Sequence, residues 1–381
     1  MIRRFSTLYV GHIELERCGL GGVPADDRRY PNARLTEVFD AAAALAKATD
    51  TLGYDTLWLA EHHFQHEGYE CIPNIPLLAV DLAHRTQRIK IGCAFNIVPT
   101  WHPLRLAEDY ATADILTRGR VVFGVGRGYH SREVETFGNP MLDAEANREL
   151  FEEQVEIILK AFRQESFSHH GKHYTIPPDV PYRGYQLKEI TLVPRPVHQP
   201  VDVWQPIVSG SARSLDFMAR HGIKGVISAT AEQFVERWLR DYQAAAARHG
   251  RNLQVGEDVI LGFRMCIDDS QACAMDRARP YFEEHAKFMA PLGMLRYSEE
   301  QVKAVAARQA QSPTMATLEN GVGNRSWLCG PPEHIVGHLK EVEARYPGLE
   351  QIMIAWALGT PRELMLEQLA WFAREVMPAF R

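Results

Sequence analysis

The residues with the clearest chemical potential are two adjacent histidines, His62 and His63, which follow a short apolar segment at 56–60. We predict that this segment forms a strand. Adjacent strand side chains point to opposite faces, so a regular strand places only one of the two histidines in a given site. An imidazole with a pKa of about 6.5 can act there as an acid, a base or a hydrogen-bond donor. From this motif alone, a catalytic role and a packing role for the pair stay equally open.

A second candidate segment is the glycine-rich turn at 124–129, which follows a predicted strand at 121–125. Glycine lets a ligand approach the backbone closely, and the fixed cation of Arg127 suits a phosphate group. The alternative is that the glycines only form the loop and that Arg127 pairs with Glu133 or Glu135.

A third candidate is the serine- and glycine-rich turn that contains Ser209, Gly210, Ser211 and Ser214, after a predicted strand at 203–208. It opens a predicted helix, and a helix N-terminus offers free N–H groups and the positive end of the helix dipole. Plain capping of the helix by serine is the common alternative. Together with Arg127, this turn predicts an anion cradle between the fourth and fifth strands.

Metal, serine and thiol chemistry receive less support. His169, His170 and His173 occur on a predicted hairpin around Gly171, which we interpret as solvated surface rather than a metal site. No Gly-x-Ser-x-Gly turn marks a nucleophilic serine. No cysteine has a recognisable catalytic partner nearby in the sequence. We therefore expect no metal.

The composition excludes further classes. The chain has 381 residues and a net charge of −6, which is not the basic footprint of a nucleic-acid-binding protein. No run approaches the roughly 20 apolar residues of a membrane helix, and the N-terminus does not predict a signal peptide. Six scattered cysteines without CxxC spacing predict reduced thiols in a cytoplasmic protein.

The elements that position these candidates alternate between strand and helix. Strands are predicted at 5–10, 56–60, 89–95, 121–125, 203–208, 224–228, 259–267 and 350–357. Helices are predicted at 34–52, 74–86, 104–116, 146–163, 211–221, 231–248, 270–288, 332–345 and 362–375. Eight strand-helix units predict an α/β fold, a single (β/α)8 TIM barrel spanning 1–381. An open doubly wound sheet is the alternative, but it would show a glycine fingerprint after the first strand, where residues 11–14 read GHIE.

The chain is longer than the roughly 250 residues that such a barrel needs. The excess falls in three predicted insertions, at about 11–33, 165–200 and 289–327. Long insertions often bind a ligand or cover a site. We expect the first and last near the barrel mouth, with 289–327 either a lid or a peripheral or subunit contact.

Several segments resemble, in the same order, the bacterial luciferase-like flavin-dependent monooxygenase family. Residues 58–64 (WLAEHHF) are similar to its strand-two signature, and 99–109 (PTWHPLRLAED) and 119–138 to its next two motifs. The segment 209–222 is similar to its fifth-strand phosphate loop. Residues 330–333 (GPPE) and 372–378 complete a match that spans nearly the whole chain.

The resemblance implies a luciferase-type TIM barrel, a homodimer or larger oligomer, and FMN bound across the barrel mouth. It implies His62 as the catalytic histidine and Glu133 as an acidic residue near the flavin. The isoalloxazine would lie against a non-prolyl cis peptide between Ala94 and Phe95. The implied phosphate ligands are Arg127, Ser209, Gly210, Ser211 and Ser214.

The implied function is a two-component monooxygenase. A separate reductase would supply reduced FMN, and O2 would add at the flavin 4a position to give a peroxyflavin that oxidises a small organic substrate. Gly126 replaces the reactive cysteine of the bacterial luciferase α chain, so light emission is not implied.

Two alternatives stay open: a deazaflavin-dependent oxidoreductase that transfers hydride, and a non-catalytic flavin-binding protein. The substrate class is also open, because apolar loops favour a neutral compound whereas Arg296 and Arg325 leave room for an anion.

Overall fold

Eight parallel strands form a closed ring in the computed structural model, which describes residues 1–380. The strands are β1 (Arg4–Tyr9), β2 (Thr56–Leu59), β3 (Lys90–Cys93), β4 (Val121–Gly126), β5 (Val203–Pro206), β6 (Lys224–Ser228), β7 (Val259–Ile267) and β8 (Gln351–Ala355). Each strand pairs with the next along the chain, and β8 pairs with β1. The predicted (β/α)8 barrel is therefore confirmed, and the open-sheet alternative is wrong.

Nine long helices surround the ring. They are α1 (Glu37–Leu52), α2 (Ile75–His84), α3 (Pro103–Thr117), α4 (Ala144–Arg163), α5 (Ala212–His221), α6 (Glu232–Arg248), α7 (Gln271–Met289), α8 (Pro332–Arg345) and α9 (Arg362–Glu375). Their ends follow local signals in the sequence. Asp143 caps α4 by accepting from two backbone N–H groups, and α1 and α5 end at the left-handed Gly53 and Gly222. No helix among the described residues is both long and apolar enough to cross a membrane.

The barrel interior is filled by apolar side chains from several strands. Trp58, Trp204, Val226, Ile260 and Met353 form one buried cluster, with the two indole rings 5.9 Å apart and edge to face. Residues from β2, β5, β6, β7 and β8 can meet only inside the ring. Since strand side chains alternate, every second residue from these positions also faces inward, toward the mouth at the carboxyl ends of the strands.

The three insertions carry short elements of their own. The first contains Ala25–Asp27 and Asn32–Leu35, and the second two hairpins, His169–His170 with Thr175–Ile176 and Pro181–Tyr182 with Tyr185–Gln186. The third contains helices Glu299–Ala307 and Leu318–Gly323, then the strand Trp327–Gly330. That last strand pairs in parallel with the carboxyl half of β7, outside the ring. We did not predict it, because its four residues show no periodicity of their own.

The predicted hairpin around Gly171 is confirmed, but its interpretation as solvated surface is wrong for one histidine. His169 is buried, with Nε2 lying 3.1 Å from Glu153 Oε1 and Nδ1 lying 3.1 Å from Lys160 Nζ. His170 and His173 are exposed. The hairpin therefore packs against α4 through His169, which no local pattern could indicate.

Close approach between β3 and β4 requires a glycine at position 124. A Cβ atom there would lie 1.9 Å from the carbonyl oxygen of Cys93. We expect Gly124→Ala to lower the free energy of unfolding by at least about 2 kcal/mol, since the backbone must shift. Gly337 in α8 has no atom within 4 Å of its Cβ position, so Gly337→Ala should instead stabilise the protein by up to about 1 kcal/mol. Urea unfolding checks both, and equal effects would contradict this packing account.

Candidate cofactor and active site

His62 lies inside the barrel mouth, beyond Trp58 and on the same side of β2. Its side chain is only 5% exposed, and its Nδ1 lies 3.1 Å from Oε1 of Glu133. The other nitrogen of the imidazole, Nε2, lies 3.0 Å from the hydroxyl oxygen of Tyr129. Glu133 also accepts from the backbone N–H of His63 and from the side chain of Gln65. The imidazole is therefore held at both nitrogens.

Glu70 extends this arrangement. One carboxylate oxygen accepts from the Tyr129 hydroxyl at 2.6 Å, and the other lies 2.9 Å from Nε2 of His130. Donor atoms of His62, Glu70 and His130 lie within 4.8 Å of one another, but each is already engaged in hydrogen bonds. We therefore describe these residues, with Tyr129 and Glu133, as a proton-sharing cluster, called the His62 cluster below.

The charges in the His62 cluster are set by burial and pairing. Burial opposes the charged imidazole, but the carboxylates of Glu70 and Glu133 outweigh it and raise the pKa of His62 to about 9. Burial likewise opposes ionisation of Glu133, but charged His62 lowers the pKa of that carboxyl to about 2. Burial and the nearby Glu70 raise the pKa of Tyr129 well above its usual range. At neutral pH the cluster thus holds an imidazolium, two carboxylates and a neutral phenol.

His63 points away from the cluster, as the alternation of a strand predicts. Its Nε2 lies 3.1 Å from Oε1 of Glu61, and its ring packs edge to face on Phe137 at 4.9 Å. Glu61 also accepts from the indole N–H of Trp101 at 2.8 Å. The second histidine therefore has the packing role that we left open.

Arg127 follows β4, and its side chain makes no hydrogen bond or ion pair with any described residue. Its Nη1 is buried without a partner. The alternative partners are occupied elsewhere, because Glu133 belongs to the His62 cluster and Glu135 accepts from the backbone N–H groups of Met141 and Leu142. Burying a guanidinium without a partner is costly, so this group is suited to an external anion.

The turn after β5 offers matching donors. Ser211 is the N-cap of α5 but makes no capping bond, and its Oγ is buried without a partner. Plain N-capping, the alternative for this serine, is therefore wrong. Gly210 has a φ of +60°, and a Cβ there would lie 2.2 Å from the ring of Trp238. Ser214 receives a hydrogen bond from Gln205 at 3.1 Å.

Two further arginines that sequence reasoning missed surround Arg127. Burial first, then the charges of Arg308 and Arg148, lower the pKa of Arg127 to about 9. Arg308 comes from the third insertion and donates to Asn147 at 2.7 Å. Arg148 lies 3.9 Å from Glu152, whereas Arg127 and Arg308 have no carboxylate partner. This excess of positive charge, beside a helix N-terminus, is the environment that a phosphate prefers. The donor set therefore fits the phosphate of a flavin mononucleotide. Neither arginine lies in the glycine-rich turn, so spacing gave no signal for them.

Glycines at positions 124 and 126 of β4 lie against the side chain of Phe95, just after β3. The Ala94–Phe95 peptide bond is cis, as the resemblance implies. The next residue, Asn96, donates from its side chain to the carbonyl of Gly124 at 2.9 Å. A Cβ at Gly126 would lie 3.1 Å from Phe95 Cβ. Both glycines of β4 are therefore in close contact with Phe95, the residue after the cis bond.

The third insertion is fastened across the mouth. Arg296 donates to the carbonyl of Ser228 at 2.7 Å and to the hydroxyl of Thr230 at 3.1 Å. Phe288, at the end of α7, stacks on Tyr69 at 4.2 Å. Arg296 therefore fixes the insertion to the carboxyl end of β6, at the barrel mouth.

A family model described as luciferase-like monooxygenase matches residues 22–348. The chain is 24% identical over 360 residues to the oxygenase component of the flavin-dependent trigonelline monooxygenase of Acinetobacter baylyi, with 90% of each chain covered.

Solved structures with the same fold include enzymes of two cofactor types. The oxygenating constituent of 3,6-diketocamphane monooxygenase from Pseudomonas putida, in complex with FMN, has a TM-score of 0.75 at 19% identity over 99% of both chains. An F420-dependent secondary alcohol dehydrogenase has a TM-score of 0.69 at 13% identity over 100% of both chains. At such identities the likeness establishes the fold alone.

The raised pKa of His62 predicts a pH-dependent contribution to stability. Because the folded pKa of about 9 exceeds the unfolded value of about 6.5, the stabilisation is complete below pH 6.5 and is lost as the pH rises toward 9. We expect His62→Gln to lower the free energy of unfolding by on the order of 3 kcal/mol at pH 6, and by much less at pH 9. Urea unfolding across this range measures the difference. His170→Gln, at an exposed position, serves as the control, and a pH-independent effect of His62→Gln would contradict the assigned charge state.

Proposed function

We propose that this chain, which belongs to the luciferase-like monooxygenase family, binds reduced FMN and uses O2 to oxidise a small organic substrate. The observation that carries the proposal is the pair of unsatisfied donors, Arg127 Nη1 and Ser211 Oγ, on the loops after neighbouring strands β4 and β5. The His62 cluster lies at the same barrel mouth. Such an enzyme needs an anion-binding site for its cofactor and a charged group near the reaction centre, and the cradle and His62 provide these two features.

The residues that would hold FMN are the cradle residues on the loops after β4 and β5. Arg127, assisted by Arg148, would bind the phosphate, and residues 209–211 with the first turn of α5 would complete the cradle. The cis peptide at Ala94–Phe95 would support the ring. Reduced FMN, when bound, supplies the electrons that the activation of O2 requires.

His62 has the features of a proton donor at the mouth. Its raised pKa keeps a proton on the ring at neutral pH, and Glu133 fixes the ring through Nδ1. Tyr129 bridges His62 Nε2 and Glu70 through contacts of 3.0 and 2.6 Å. A proton given up at Nε2 leaves a neutral imidazole, and because the cluster holds two carboxylates and a weakly acidic phenol, the replacement proton comes from outside the cluster.

The insertions exclude water from this cluster. Arg28 in the first insertion forms a buried ion pair with Glu284 of α7 at 3.0 Å. Tyr69, which precedes Glu70 of the cluster in the chain, hydrogen-bonds the same carboxylate and stacks on Phe288. A dry site strengthens each electrostatic interaction and protects a reactive centre from solvent.

The proposal includes a separate reductase and a reducing compartment. The A. baylyi relative is named as the oxygenase component of its enzyme, which supports an external source of reduced flavin for this chain as well. All six cysteines are free thiols, which suits the cytoplasm. The homodimer stays a prediction.

An anaerobic titration tests the cofactor, and we expect reduced FMN to bind more tightly than a reduced deazaflavin. A separate aerobic assay tests the reaction. We expect O2 uptake with ketones, aldehydes or aromatic compounds to exceed the rate of free flavin autoxidation. If only the deazaflavin binds tightly, the monooxygenase proposal is wrong and the chain is a hydride-transfer enzyme. Flavin binding without any substrate-stimulated O2 uptake would support a flavin-binding protein without catalysis.

Removal of the cradle charge should weaken FMN binding. We expect Arg127→Met to raise the Kd for FMN by about 10- to 100-fold, because a charge-assisted bond to phosphate is lost. Flavin fluorescence measures the Kd. Arg220→Met, at the exposed far end of α5, is the matched control. An unchanged Kd for Arg127→Met would place the phosphate elsewhere.

Removal of the proton donor should affect turnover rather than flavin binding. We expect His62→Gln to lower substrate-coupled O2 consumption by about 100- to 10,000-fold, the usual contribution of a general acid or base, with an unchanged Kd for FMN. Coupled oxygen uptake and product yield provide the measurement, with His170→Gln as the control. Full coupled turnover in the His62 variant would remove this residue from the chemistry.

A further inference from the structure

A second unpaired arginine, Arg264, lies inside the barrel mouth on β7. Ile260 on this strand belongs to the interior cluster, so Gly262 and Arg264 face the interior as well. A Cβ at Gly262 would lie 2.9 Å from Met353 Cε and 3.0 Å from Ser228 Oγ, which places that glycine within the ring. The register neighbour of Arg264 on β8 is the small Ala355. Its side chain is therefore directed to the mouth, beside a residue that carries only a methyl group.

Arg264 differs from most partly buried arginines of the chain because its side chain has no partner. Within residues 1–380, Arg264 and Arg127 are the two arginines with an intermediate exposure that form neither a hydrogen bond nor an ion pair through the side chain. Fully buried Arg28, by contrast, pairs with Glu284. Arg264 Nε is buried without a partner. Because β7 is three strands from β4 around the ring, this position is separate from the phosphate cradle.

Arg296 brings a second cation that is also not neutralised. Its three hydrogen bonds go to uncharged oxygens, the carbonyls of Ser228 and Met294 and the hydroxyl of Thr230. Burial first, then the charge of Arg264, lower the pKa of Arg296 to about 10, so both guanidinium groups remain charged and repel each other. Two neighbouring buried cations without a carboxylate favour an anion.

A third polar group at this position also lacks a partner. His285 on α7 is 4% exposed, and its Nδ1 has no hydrogen-bond partner. Burial and the charges of Arg264 and Arg296 hold its pKa well below the usual range, so the ring is neutral. The two carboxylates of the His62 cluster bind elsewhere, Glu70 to Tyr129 and His130 and Glu133 to His62. Neither forms an ion pair with Arg264 or Arg296.

We propose that Arg264 and Arg296, with His285, form a binding site for a carboxylate group of the substrate, so that the substrate class is a small organic carboxylate. The inference rests on the proposed function and adds the substrate class to it. The planar fork of a guanidinium matches a carboxylate in a two-point contact. Arg264 lies near Tyr129, which hydrogen-bonds His62, so a substrate anchored here would present its remaining atoms to the His62 cluster.

Binding of matched acids and amides to the full-length protein tests this site. The probes are benzoate and cyclohexanecarboxylate, each compared with its uncharged amide by calorimetry, without flavin and with FMN at saturation. We expect each acid to bind at least about 10-fold more tightly than its amide. In Arg264→Met this preference should disappear, whereas Arg264→Lys should retain part of it. Arg240→Met, an exposed arginine on α6, should leave it unchanged.

Stability and flavin binding separate a binding site from a structural role. Removing an uncompensated buried charge should leave the Tm of Arg264→Met the same or higher. The Kd for FMN should not change, because the phosphate cradle is elsewhere. If Arg264→Met fails to fold, Arg296→Met provides the same comparison, with the same expected loss of preference for the acid.

Three results would overturn the carboxylate site: equal binding of acid and amide by the wild-type protein, undetectable binding of both acids, or an unchanged preference in the variants. A weakened Kd for FMN in Arg264→Met with an unchanged acid preference would assign this arginine to the flavin instead. Since the probes are also measured without flavin, failure of FMN binding would contradict the proposed function while leaving this result intact.

Discussion

The mouth of the barrel is organised by the pairing of buried charges around His62. Glu133 and Glu70 approach this ring from two different loops and keep it charged against the cost of burial. Each carboxylate would be expensive to bury without the imidazolium, and the imidazolium without them. The loops after β2 and β4 are therefore fixed relative to each other by one electrostatic arrangement. Arg127 of the anion cradle lies on the loop after β4 and is positioned with it.

Some charged groups at the mouth are paired within the protein, and others have no counter-charge. Arg28 and Glu284 neutralise each other beneath the first insertion, and the His62 cluster is satisfied internally. Arg127 and Arg264 are not neutralised. An enzyme that binds an anionic cofactor and an anionic substrate needs two such cations, kept apart so that each ligand has its own position. Their placement on β4 and β7 provides this separation.

The insertions that make the chain longer than a minimal barrel lie at the mouth. The third insertion provides both Arg296, at the proposed carboxylate site, and Arg308, beside the proposed phosphate cradle. One inserted segment thus contacts both anion positions. The first insertion contributes Arg28 to the buried ion pair with α7. These segments lie where ligands would enter, which is a reason for their retention that packing of the barrel does not supply.

The sequence alone determined the barrel, because eight apolar segments alternate with amphipathic ones and because Gly53 and Gly222 mark helix ends. It also indicated the cradle turns and the histidine pair, since those residues are local to strand ends. Only the tertiary structure decided which partners they have. Glu70, Arg148, Arg264 and Arg308 come from loops, helices or strand interiors far apart in sequence, and their hydropathy pattern is that of ordinary solvated residues. Their role follows from burial and from the presence or absence of a counter-charge, and both are properties of the folded chain rather than of any local segment.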